Sequence, residues 1–239
     1  MTTFQCDRVQ SFCQYGYFVV PEFLDPTEIG ELRRACDIAL ERARAESTEK
    51  GHTTPSISLF ADASYFSREP GALDRLATFV GSARVCALLE GLAHQGEDGT
   101  PRLKKTDYYH EQTRRDWDGD WHRDSQFGEP DPERERALVL TTTSVHVRVA
   151  LEPDDRLAIV PGSHRRWDTP EEIRIRKGAK RASDMPEAAR IALRAGDACV
   201  FHASSIHRAT YRCAPPRRTM DSLYVFGRPP VPRWSLPKG

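Results

Sequence analysis

Val145-His-Val-Arg-Val-Ala-Leu151 carries an aliphatic residue at every second position. Side chains alternate across a strand, so Val145, Val147, Val149 and Leu151 share one face and His146, Arg148 and Ala150 the other. Such a strand belongs to an antiparallel sheet with one dry face, the other lining a pocket or a wet surface. Around it Leu103 to Gln112, Val139 to Leu151, Leu157 to Val160, Ala198 to Phe201 and Thr219 to Phe226 also read as strands. Turn signals separate them at Asp116 to Gly119, Gly128 to Pro132, Pro153 to Asp155, Pro161-Gly162 and Gly196-Asp197. Before Gly99 the period is different. Tyr15-Gly-Tyr-Phe-Val-Val20 reads as an opening strand. Asp25, Pro26 and Glu28 then start a helix whose Ile29, Leu32, Cys36 and Leu40 fall on one face. A second helical stretch, Gly71 to Ala93, is broken at Gly81-Ser82, and Arg165 to Arg181 reads as a solvated loop or short helix. Helices first and strands after, without βαβ alternation, predict a mainly-β fold with flanking helices: a sandwich, barrel or jelly roll.

The rest of the composition removes whole classes of function. Thirty-five basic and 35 acidic side chains cancel over 239 residues, which argues against a protein that coats nucleic acid or anionic membrane. No apolar run reaches the roughly 18–20 residues of a membrane span, and Cys6, Asp7 and Arg8 stand where a signal peptide needs an apolar stretch. Six cysteines without CxxC spacing suit a reducing cytoplasm better than a disulfide framework.

Chemistry concentrates in Trp121-His-Arg-Asp124. Two residues apart on an extended segment, His122 and Asp124 project together and Arg123 opposes them. An imidazole beside a carboxylate is two-thirds of the facial triad that holds Fe(II) and leaves the remaining positions open. By itself HxD is weak, since most such pairs are surface salt bridges. The chain also supplies distal histidines, His202 and His207, and then Arg217 and Arg218 ahead of the last strand. 2-Oxoglutarate can chelate such a metal through its keto-acid end, and its far carboxylate then calls for a guanidinium. HxD, a distal His and an Arg about ten residues beyond form one chemical unit.

The sequence resembles the phytanoyl-CoA dioxygenase-like branch of the Fe(II)/2-oxoglutarate oxygenases. The resemblance runs through Tyr15 to Val20, Phe23-Leu24-Asp25, residues 121–124, Ile159-Val-Pro-Gly-Ser-His164 and Gly196-Asp-Ala-Cys-Val-Phe-His202 to His207. It implies a double-stranded β-helix (a jelly roll, cupin-like) over residues 1–239 as one domain, about 1–100 being a helical buttress with an opening strand and about 101–230 the core. It implies His122, Asp124 and His207 as iron ligands, because eleven residues after His207 the family's 2-oxoglutarate arginine lands on Arg218, whereas the same count from His202 lands on Cys213. Arg217 is then expected to point away. Lys105 and Tyr109 are implied cosubstrate contacts and Asp107 an implied substrate contact, while His146 and Arg148 are candidate substrate contacts because the polar face of their strand would line the pocket of a jelly roll. A serine common two residues after the distal His is replaced by Ala209. The implied reaction consumes 2-oxoglutarate and O2 to oxidise, by default hydroxylate, a C–H bond of a small organic molecule, as in natural-product tailoring. A metal-dependent hydrolase or isomerase on the same His-Asp-His site, and a silent binding domain, are the alternatives.

Overall fold

The computed structural model describes residues 3–50, 56–95, 97–110, 115–178 and 184–227. Among these residues ten strands form two sheets, every pairing antiparallel. The larger sheet runs β1 (Tyr17–Val20), β8 (Ala198–His202), β5 (Ser144–Ala150), β10 (Thr219–Val225), β3 (Arg102–Tyr109) and β2 (Ser56–Ser58). The smaller runs β4 (Trp117–Asp118), β9 (His207–Tyr211), β6 (Asp154–Ile159) and β7 (Ala189–Leu193). They stack as a jelly roll, with Ala150, Cys199 and Phe201 of one packed against Leu157, Ile159, Ile191 and Leu193 of the other.

Helices close the outer face of the larger sheet. Val145, Val147, Val149, Val200 and Met220 face α2 (Pro26–Lys50), α3 (Pro70–Val80) and α4 (Ala83–Leu89) through Leu32, Cys36, Leu40, Leu76 and Leu89. Each large aliphatic chain removed from water there contributes roughly 1.5–3 kcal/mol. The start of α2 is a reciprocal cap: Glu28 N–H donates to Asp25 Oδ1 (2.9 Å) and Asp25 N–H to Glu28 Oε2 (3.0 Å). With the outer face apolar, the polar face of β5 points into the barrel rather than to bulk water.

Three expectations need correction. Tyr15 ends a helix, α1 (Thr3–Tyr15), and the opening strand begins only at Tyr17. The switch between them is Gly16, at φ +81°, where a β-carbon would lie 2.6 Å from His164 Nδ1 and 2.7 Å from Ser205 Oγ. Val139 lies in α6 (Pro132–Thr141), which follows the single turn α5 (Ser125–Gly128), and not in β5; Asp131 caps α6 through the N–H groups of Glu133 and Arg134, and Pro132 takes its first position. Arg165 to Arg181 does contain the expected short helix, but the stretch is not simply solvated. Within it α7 (Pro170–Arg176) opens with a Thr169–Glu172 capping box and ends at a fully buried Arg176. Glu111 and Gln112, the expected end of β3, and the end of the Arg165–Arg181 stretch lie outside the described residues. Among the described residues no helix is long and apolar enough to cross a membrane.

Candidate metal centre

The site begins as a piece of backbone. His122 N–H donates to His207 O (3.0 Å) and His207 N–H to His122 O (2.9 Å), an antiparallel bridge outside the regular strands. Residues directly opposite in such a pair share a face, so the two imidazoles stand side by side with centroids 4.3 Å apart. Asp124 is fixed by its N–H to Ala203 O (3.0 Å). One ligand atom from each of His122, Asp124 and His207 then falls within 4.8 Å of the others.

Both tautomers are set by the main chain. His122 Nδ1 lies 2.8 Å from Asp120 O and His207 Nδ1 2.9 Å from Ser205 O. A carbonyl only accepts, so each Nδ1 carries the hydrogen and each Nε2 keeps its lone pair. Those Nε2 atoms lie 3.6 and 3.5 Å from Asp124 Oδ1. Burial pushes His207 down to about 3 and lowers His122 as well, so both rings are neutral near pH 7. Burial works to raise Asp124, but the hydrogen bond and charge of His146, with the nearby His207 and His122, outweigh it and hold the carboxylate ionised. Two neutral imidazoles and a carboxylate converging on one point suit Fe(II) with open positions beyond.

Behind Asp124 runs a second line of side chains. His146 places Nε2 2.9 Å from Asp124 Oδ2 and Nδ1 2.6 Å from Asp221 Oδ1, its ring stacked on Phe201 at 4.5 Å. Both partners are acceptors, so both nitrogens donate. Burial opposes that charge, but Asp221 and Asp124 raise the imidazole to about 9. Arg148 continues the line, donating through Nε (2.8 Å) and Nη2 (2.5 Å) to Asp221 Oδ2. Its Nη1 is buried with no hydrogen-bond partner among the described residues.

Register on β10 and β3 sorts the remaining candidates. Asp221 opposes Arg148 on one side and Asp107 on the other, and Lys105, Asp107 and Tyr109 share the inner face. Lys105 and Asp107 pair at 2.7 Å, with Lys105 about half exposed (47%). Tyr109 lies deeper, its phenol raised chiefly by burial. Arg218 does not join them. Its side chain leaves the opposite face and pairs with Asp37 of α2 at 3.2 Å. Arg217, expected to point away, is the arginine that enters: it is 2% exposed, lies 4.7 Å over the Tyr109 ring and donates through Nε to Asp154 Oδ2 (3.0 Å).

Sequence reasoning missed Asp221, although an isolated aspartate inside a strand is unusual enough to be a signal, and it placed Asp154 in a turn, whereas Asp154 opens β6. It also missed what holds the HxD turn. Arg123 is fully buried and donates through Nε and Nη2 to Asp168 (2.8 and 2.7 Å) and through Nη1 to the carbonyls of Ser163 and Ser204. Ser163 organises its loop, accepting from Ile206 N–H at 2.8 Å and donating to Val160 O at 2.7 Å. His202 stays apart from the trio, stacked on Phe12 at 5.7 Å.

Several solved structures share this architecture. HygX from Streptomyces hygroscopicus, determined with nickel and 2-oxoglutarate bound, superposes with a TM-score of 0.65 at 16% identity, covering 98% of this chain and 90% of its own. AviO1 from Streptomyces viridochromogenes Tue57 gives 0.64 at 16% identity, with 98% and 99% covered. SnoN, a non-heme alpha ketoglutarate dependent epimerase from nogalamycin biosynthesis, gives 0.59 at 20% identity, with 98% and 87% covered. At these identities the likeness establishes the fold. Among curated proteins there is no match. The phytanoyl-CoA dioxygenase (PhyH) model, however, matches residues 12–219, and the chain therefore belongs to this family of Fe(II)/2-oxoglutarate-dependent enzymes.

Proposed function

We propose that this protein is a non-haem Fe(II)- and 2-oxoglutarate-dependent dioxygenase that oxidises, by default hydroxylates, a C–H bond of a small organic molecule. The observation that carries the reading is the trio itself: two imidazoles with Nε2 bared by backbone-bound Nδ1–H groups, and one ionised carboxylate between them. Bound Fe(II) and 2-oxoglutarate supply the means to activate O2 and remove hydrogen from carbon, with succinate and CO2 as coproducts. His122, Asp124 and His207 would hold the metal.

The residues beyond the trio fit a dicarboxylate. The lone Nη1 of Arg148 is a buried donor in want of an acceptor. Arg148 and Arg217 flank Tyr109, their guanidinium carbons 5.5 and 4.7 Å from its ring. We assign the far carboxylate of 2-oxoglutarate to this pair rather than to Arg218. A metal hydrolase has no use for two buried arginines at that place. Lys105 and Asp107 stand toward solvent and are assigned to substrate entry. Phe127, 73% exposed and 5.2 Å from the His122 ring, is a further surface for it. SnoN and the carbocyclase SnoK act in nogalamycin biosynthesis as an epimerase and a ring-forming enzyme. A tailoring step in natural-product assembly is therefore the setting proposed here, in a reducing cytoplasm that suits six free cysteines.

Anaerobic protein given Fe(II) and 2-oxoglutarate should develop the weak visible charge-transfer band of a chelated keto acid. His122→Ala or His207→Ala should abolish it. A band that survives both changes overturns the assignment.

A further inference from the structure

The two oxygens of Asp124 have different neighbours. Oδ1 faces both ligand imidazoles at 3.5–3.6 Å, whereas Oδ2 is turned away from them and lies 2.9 Å from His146 Nε2. We infer that His146 is a positioning residue that holds Asp124 as a one-oxygen ligand, and that Asp221 and Arg148 form the brace that keeps His146 in place. The inference rests on the iron-site reading above and adds to it a reason why the carboxylate leaves metal positions open. An unrestrained carboxylate can swing both oxygens onto one ion. That would consume a position which a chelating keto acid or O2 requires.

Each link in the brace has a geometric cause. His146 and Phe201 are cross-strand partners on β5 and β8, so their rings stack within 6° of parallel and the imidazole cannot tip. Asp221 is the β10 partner of Arg148 and spans to both residues, taking His146 Nδ1–H on Oδ1 (2.6 Å) and Arg148 on Oδ2. With Asp221 accepting at Nδ1, the hydrogen on Nε2 is directed at Asp124. Other titratable groups facing the cluster are His122 and His207 from the trio, Lys105 and Asp107 toward solvent, and Tyr109, Cys199 and Asp154 at the Arg148 end. None of these comes between His146 and Oδ2. Partners that orient a metal ligand in this way typically change metal affinity by about 10–100-fold when lost.

The test compares two amides at one position. In His146→Gln the amide nitrogen can reach where Nε2 stood and still donate to Asp124. In His146→Asn it can reach only toward Asp221. Co(II) binding to the full-length protein, without 2-oxoglutarate, would be followed by equilibrium dialysis and by the intensity of the visible d–d bands, which report coordination number. His146→Gln should bind Co(II) within about threefold of wild type with an unchanged spectrum. His146→Asn and Asp221→Asn should bind about 10–100-fold more weakly, with bands altered by a carboxylate free to chelate. A merely structural role would lower the thermal midpoint of Gln and Asn variants alike and leave their affinities equal; that equality overturns the inference. If one amide variant fails to fold, Asp221→Asn against wild type decides, and unchanged affinity and spectrum there also overturn it. Failure of the wild-type protein itself to bind Co(II) would instead sink the iron-site reading.

Discussion

Replacing Arg217 and Arg218 one at a time tests how the barrel holds its cosubstrate. Arg217 is 2% exposed, whereas Arg218 and Asp37 are 19% and 34% exposed in their side chains. A buried carboxylate that loses its guanidinium forfeits about 3–5 kcal/mol. At 1.4 kcal/mol per tenfold, Arg217→Ala should weaken 2-oxoglutarate binding by about two to three orders of magnitude. The pair broken by Arg218→Ala is partly solvated and worth about 0–1 kcal/mol, so the same affinity should change by no more than about fivefold. Arg217→Ala also strips Asp154 of its partner, although Thr219 Oγ1 (2.7 Å) and Arg156 N–H (2.9 Å) still reach that carboxylate. Making the change in an Asp154→Asn background removes the stranded charge, so loss of fold and loss of binding can be read apart. The assay is an anaerobic titration of 2-oxoglutarate into Fe(II)-loaded protein, followed by the charge-transfer band. Equal affinity in wild type and Arg217→Ala refutes the reasoning, and a loss confined to Arg218→Ala returns the clamp to the neighbouring residue.

Acid should destabilise the metal-free protein through buried histidines outside the site, His110, His164 and His202, of which His110 is pushed by burial down to about 4. Burial pushes His164 down to about 4 and His202 to about 3, so between an unfolded value of about 6.5 and those values only the unfolded chain takes up the protons. Stability is therefore full above pH 6.5 and falls as pH drops, each group adding about 1.4 kcal/mol per pH unit; urea midpoints flat from pH 6.5 to 4.5 would rule this out. Asp168→Ala should cost about 3–5 kcal/mol in urea unfolding, because Arg123 and Arg176 would be left buried without their shared carboxylate. A cost below 1 kcal/mol would show that water reaches the network.

What could be read in the sequence followed from local rules, and what could not depended on distant partners. Strict alternation in Val145 to Leu151 specifies a strand with one dry face, whatever the rest of the chain does. His122 and Asp124 declare themselves because two-residue spacing is a property of extended backbone. The choice of arginine was not local. Counting from His207 assumes one length for the turn before β10, and which of two adjacent guanidiniums enters the barrel is fixed by Asp154, sixty-three residues from Arg217. Arg176 looked solvated for the same reason, since its burial depends on Asp168 and on Glu135 of a different helix. In α6 the run Val139-Leu-Thr141 suggested a strand by composition, while the Asp131-Pro132 start signal carried the better information.

The backbone bridge between His122 and His207 has a consequence for assembly. The two imidazoles belong to segments eighty-five residues apart, joined at the histidines themselves by one reciprocal pair of peptide hydrogen bonds, with single bonds from Gly119 N–H to Ala209 O and from Asp124 N–H to Ala203 O on either side. An ion gripped by both rings acts there as a removable rivet across a long chain loop, and every unit of metal affinity becomes resistance to parting that seam. Amide hydrogen exchange at residues 122 and 207 should accordingly slow when metal is added and quicken with a chelator, while the amides of β5 beneath the helices stay indifferent.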